Sequence, residues 1–106
     1  MNIQDVLDSI KAQSLETIKT EFKDLLTTAQ KDKSEFIRTS AAQVAQALIY
    51  VAEGKLTASD VATLLRKQKK IAQIEANNAQ IQLLSKIQKI IYRLLDIAID
   101  VLLKAI

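Results

Sequence analysis

The chain alternates apolar and polar positions with a helical period from end to end. In the first half, Ile3, Val6, Leu7, Ile10, Leu15, Ile18, Phe22, Leu25, Leu26 and Ala29 recur at helical spacing, followed by Phe36, Ile37, Val44, Leu48 and Val51. That spacing predicts α-helix, and no run alternates with the period of two that a strand requires. Asn2 is a good N-cap for the first helix, with Asp5 three residues on and Asp8 near the positive end of the dipole.

The clearest break in the pattern is VAEGKLTASD. Gly54 stands where a left-handed C-cap is wanted, and Thr57 with Asp60 resembles a capping box. A tight turn is therefore predicted at 54–57, dividing a single all-helical domain, 1–106, into one arm over 2–53 and another over 58–106. The apolar seam of the second arm reads as Ile71, Ile74, Ile81, Leu84, Ile87, Ile91, Leu94, Ala98 and Val101. Folding the chain at the turn sets residue i opposite a residue near 110 − i. The alanine-rich stretch 41–47 then faces 63–69, the large residues of 3–29 face those of 81–106, and the polar gap QKDKS at 30–34 meets EANNAQ at 75–80.

Two all-α architectures satisfy this matching. One is a long antiparallel hairpin with arms roughly 75 Å long. The other is a helical bundle, with breaks near 30–34 and 77–78. The eleven-residue spacings Leu15, Leu26, Ile37, Leu48 in the first arm have no counterpart in the second, and breaks in both arms would reconcile the two periods.

The C-terminal segment KIQKIIYRLLDIAIDVLLKAI narrows the functional reading. On a helical wheel, Lys86, Lys89, Arg93, Asp96, Asp100 and Lys104 fall within an arc of roughly 80°, and most of the remaining circumference is apolar. A bilayer span is disfavoured by magnitude. Arg93, Asp96 and Asp100 each cost roughly 2.5–3.5 kcal/mol at the bilayer centre, against roughly 0.3–0.6 kcal/mol returned per large apolar residue. An interfacial helix usually carries a wide cationic face, whereas here two acids share a narrow strip that Arg93 and Lys104 could neutralise at helical spacings. The segment is therefore expected to be covered by protein, through Leu84, Ile87, Ile91, Leu94, Leu95, Ile97, Val101 and Leu102, in a homo-oligomer or against a helical partner.

Composition removes most chemistry. The 106 residues include no Cys, His, Pro or Trp and a single Gly, so disulfides, Cys/His metal sites and His-based acid–base catalysis are excluded. No cofactor is implied. Ser85 and Lys89 lie one helical turn apart but lack any glycine-rich oxyanion element, which leaves Ser85 a surface serine. The acid pairs Asp5/Asp8 and Asp96/Asp100 lack a third metal ligand. Tyr50 and Tyr92 are expected at helix seams with their hydroxyls at the edge.

The formal charge is +3, too small to demand a polyanionic partner. Its densest part, RKQKK, offers Arg66, Lys67, Lys69 and Lys70 as candidate anion-binding residues, but no aromatic side chains interleave them as single-strand recognition requires. The opening MNIQDVLDSI lacks the charge and apolar run of a secretory signal, so a cytoplasmic location is the default expectation. The sequence thus favours a non-enzymatic helical assembly or interaction protein. Membrane activity of the C-terminal helix is the alternative, and nucleic-acid binding through 66–70 a weaker third.

Overall fold

Asn2 opens the fold as the spacing requires: its Oδ1 accepts from the Asp5 N–H at 2.9 Å, and the Asp5 carboxylate accepts from the Asn2 N–H at 3.3 Å. In the computed structural model, which describes residues 1–106, this cap begins helix α1, Ile3–Ser9. A 3₁₀ turn, Gln13–Leu15, leads into α2, Glu16–Gln30, followed by α3, Glu35–Ala52, and α4, Ala58–Asn78. A last helix, α5, runs over 81–105. There is no strand, and the architecture is an all-α bundle.

Of the two architectures, the structure is the bundle. Its principal extents are 39 × 25 × 22 Å and its radius of gyration is 13.3 Å, close to the ~13 Å expected of a compact domain of this length. Arms of roughly 75 Å do not fit within it. Both anticipated breaks are present. At the first, Asp32 and Ser34 form a tight loop, with the Ser34 N–H donating to Asp32 Oδ2 at 2.8 Å and Ser34 capping α3. At the second, Ala79 and Gln80 take extended backbone and separate α4 from α5.

A third break, at residues 10–12, lies in the first arm, where no break short of 30–34 is predicted. Ser9 Oγ donates to the Val6 carbonyl at 2.6 Å, a local side-chain bond that competes with continuing the helix. Ile10 is extended, and its carbonyl accepts from Lys19 Nζ at 2.6 Å. Lys19 is 6% exposed and is balanced by Glu16 at 2.9 Å. The break turns α1 back against α3, so α1 does not extend along the end of α5.

The turn at 54–57 forms as predicted. Gly54 has φ +75°, the Lys55 N–H donates to the Tyr50 carbonyl at 2.9 Å, and Thr57 Oγ1 accepts from the Asp60 N–H at 3.0 Å to start α4. The matching of levels across this turn holds near it, where Gln68 Nε2 donates to buried Ser40 Oγ at 3.2 Å.

Helix α5 is the centre of the bundle, packed by α2, α3 and α4. A helix apolar over most of its circumference needs such cover. Two stretches of it, Ile87–Ile91 and Ala98–Leu102, are wound as π-helix; the Tyr92 N–H donates to the Ile87 carbonyl and the Leu103 N–H to the Ala98 carbonyl, five residues back. Each wide turn spends an extra residue per revolution. The buried row Ile87, Ile91, Leu94, Leu95, Ala98, Leu102 therefore stays under the surrounding helices.

Candidate functional site

The narrow polar strip of α5 is spent on holding the bundle together. Arg93 forms a bidentate pair with Glu21 of α2, Nε to Oε2 at 2.7 Å and Nη2 to Oε1 at 2.9 Å. This pair holds the Glu21 carboxyl below its ordinary value, through the hydrogen bond first and the guanidinium charge second. Asp96 accepts from Lys69 of α4 at 2.7 Å, and Lys86 meets Asp32 of the 30–34 loop at 3.0 Å. Pairing along the strip, Asp96 and Asp100 with Arg93 and Lys104, was the expectation. It is not formed, because Arg93 and Asp96 reach neighbouring helices instead, and Asp100 and Lys104 have no ionic partner.

The proposed interface residues on α5 are placed by the same packing. Ile87, Ile91, Leu94, Leu95, Ile97 and Leu102 are all at most 1% exposed, enclosed by the chain itself, and have no surface to offer a second molecule. Leu84 and Val101 are half-buried. The cover that the wide apolar arc demands therefore comes from α2, α3 and α4.

Exposed apolar surface occurs instead on α4. Its core face is Val61, Leu65, Ala72 and Ala76. Ile71 and Ile74, assigned to the seam from sequence, point outward with Leu64 and are 51%, 63% and 48% exposed. Inward, α4 packs against both α3 and α5, and at positions 72 and 76 the inward residue is a small alanine. Two apolar rows thus run along α4, set roughly 120° apart on the wheel, and the bundle uses only one. Ile81, beyond the bend, is 81% exposed as well.

Beside the outer row lies an open groove of about 430 Å³ between α3 and α4. Its walls are Gln43, Gln46, Ala47 and Tyr50 on one side and Leu64, Lys67, Gln68 and Ile71 on the other, closed at one end by Leu56. Lys55 sits 5.5 Å from the Tyr50 ring centroid. Tyr92 packs against the core, while Tyr50 stays partly open in the groove.

The basic cluster divides. Lys69 is tied to Asp96, while Arg66, Lys67 and Lys70 are exposed and have no acidic partner within 4 Å. Only Lys67 lines the groove. Ser85 and Lys89 share no hydrogen bond, Asp5 is used in the α1 cap, and Asp8 accepts from Gln4 and Lys23. No three acidic side chains converge on a common point. No helix is long and apolar enough to cross a membrane.

No protein-family model, no curated protein and no solved structure matches this chain. The outer row of α4 is the feature that sequence reasoning missed. Its signal was the seven-residue repeat from Leu64 to Ile71 and from Ile74 to Ile81, which a single seam through 71, 74 and 81 merged with the core row.

Proposed function

We propose that this chain is a non-enzymatic helical interaction module whose working surface is the outer row of α4 with the α3–α4 groove, and that its partner presents a helix. One observation carries the reading: α4 has a second apolar row, Leu64, Ile71 and Ile74, that the chain's own core leaves uncovered. Scattered single hydrophobic residues need no explanation, but several at helical spacing beside a concave groove mark an interaction site. The glutamines that line the groove, Gln43, Gln46 and Gln68, offer both donors and acceptors to side chains seated between them. The composition supports the absence of a catalytic role, since no His or Cys is present to act as base or thiol nucleophile.

The reading moves recognition from α5 to α4, while keeping the assembly function that the apolar excess of the sequence suggests. It is tested by nuclear magnetic resonance titration of the protein, at low concentration, with a designed amphipathic helical peptide of Leu and Gln. Amide shifts are expected to cluster on 43–50 and 64–74 and to vanish in Ile71→Asp. No shifts at millimolar peptide, or shifts scattered over α1 and α2, would overturn it.

A further inference from the structure

Resting on that reading, we propose that the helix seated on α4 is α4 of a second copy of this chain, packed antiparallel about a two-fold axis near Ala72 and Gln73. The outward positions Leu64, Lys67, Ile71, Ile74 and Asn78 alternate by three and four residues. This is the heptad spacing of a coiled-coil seam, with an apolar stripe interrupted once by Lys and once by Asn. In an antiparallel pair the two kinds of seam position face one another. Setting Ile71 opposite Ile74 of the second copy, and the reverse by symmetry, brings Lys67 opposite Asn78 on both sides.

That register matches polarity with polarity. Sliding the helices by one heptad sets Lys67 against Ile71 in one direction, or Ile74 against Asn78 in the other. A parallel pair would stack Lys67 on Lys67 of the second copy, a like-charge contact in the middle of the seam. In the antiparallel register the flanking Lys70 meets Asn77 and the flanking Glu75 meets Gln68, so neither flank sets like charges together. Lys67 and Asn78 then act as polar seam residues that fix register and orientation at some cost in affinity.

The size of the surface sets the strength. One short helix face with a few side chains from α3 falls below the ~800 Å² per partner of a standard interface. The pairing is therefore reversible, populated at about 0.1 mM and above.

The chain has no cysteine, so single cysteines report register directly. With a short bis-maleimide cross-linker, Ile71→Cys is expected to give a covalent dimer, because the two sites lie only about 4.5 Å apart along the axis. Leu64→Cys is expected to give none, its sites being about 25 Å apart. Lys67→Cys and Asn78→Cys, each about 16 Å from its own counterpart, are expected to cross-link when mixed and not alone. Sedimentation equilibrium of the unmodified chain should show dimer growing in up to 1 mM, and Ile71→Asp should weaken association at least tenfold with an unchanged circular dichroism spectrum.

A monomer mass throughout, cross-linking of Leu64→Cys as strong as that of Ile71→Cys, or association that survives Ile71→Asp would each overturn the proposal. So would a strictly monomeric chain that co-sediments with phosphatidylserine vesicles through Ile71, which would assign the row to lipid. If self-association fails while the Leu/Gln peptide still shifts 43–50 and 64–74, the second copy is excluded and the interaction module stands. If both fail, the module falls too.

Discussion

Asp32 shows how one side chain can hold a loop to the bundle. Its side chain is 10% exposed, accepts from the Ser34 N–H at 2.8 Å, and meets Lys86 Nζ at 3.0 Å across the loop–α5 junction. The Ser34 backbone hydrogen bond, and after it Lys86, holds the Asp32 carboxyl below its ordinary value. A carboxyl depressed in the folded state adds stability above its unfolded value of about 3.9, and that stability is lost as pH falls through the folded value. Asp32→Asn should therefore destabilise the protein clearly at pH 7. The gap from the unsubstituted chain should narrow steadily as the pH is taken below about 4. Urea unfolding at pH 7, 4 and 2.5 checks this, and a gap that stayed constant would place the effect in packing instead of charge. Lys19 plays a comparable part nearer the N-terminus, where its buried ammonium satisfies the Ile10 carbonyl and fixes the reversal after α1.

At the scale of elements, the turn between α3 and α4 is the most sharply specified joint. Gly54 has φ +75°, and nothing lies within 4 Å of where a Cβ would stand. The cost of Gly54→Ala is therefore backbone alone, about 1 kcal/mol, with a fall in Tm of about 4–8 °C for a domain of this size. Gly54→Asn should recover part of that loss, since Asn tolerates the left-handed region better. Thermal melts of the two variants check both statements, and equal Tm values for Gly and Ala would show that the turn relaxes to another conformation. This joint was legible because glycine and the Thr57 cap are local signals. The breaks anticipated near 30–34 and 77–78 were legible as polar gaps, the second falling just after Asn78, at 79–80. The reversal at 10–12 was not, because it depends on Lys19 reaching Ile10 across nine residues, and the π turns of α5 were not, because no glycine, proline or capping residue marks them. The outward row of α4 escaped for a related reason: Ala72 and Ala76 are small enough to pack inside while the larger Ile71 and Ile74 remain outside, and apolar periodicity alone gives precedence to the larger residues.

For the whole molecule, the question is whether α5 is the core of one chain or an appendage that finds its cover in others. It supplies nine of the 24 buried hydrophobic residues, and α2, α3 and α4 each pack against it. A chain ending at Ser85 keeps the conformational cost of ordering those three helices and loses what they bury against. Each large side chain left uncovered on α2, α3 or α4, such as Phe22, Ile37 or Leu65, forfeits on the order of 1.5–3 kcal/mol. Four such losses amount to roughly 6–12 kcal/mol, against a typical total stability of about 5–15 kcal/mol. The truncated chain is therefore expected to lose cooperative unfolding and most of its helical circular dichroism at 222 nm. Ile71→Asp, on a side chain 51% exposed, should keep both. The contrast separates the two apolar surfaces of the molecule: substitution of the α4 row should alter association alone, whereas loss of α5 should remove folding and association together. A truncated chain that stayed folded and merely ceased to associate would return α5 to the role of an interface.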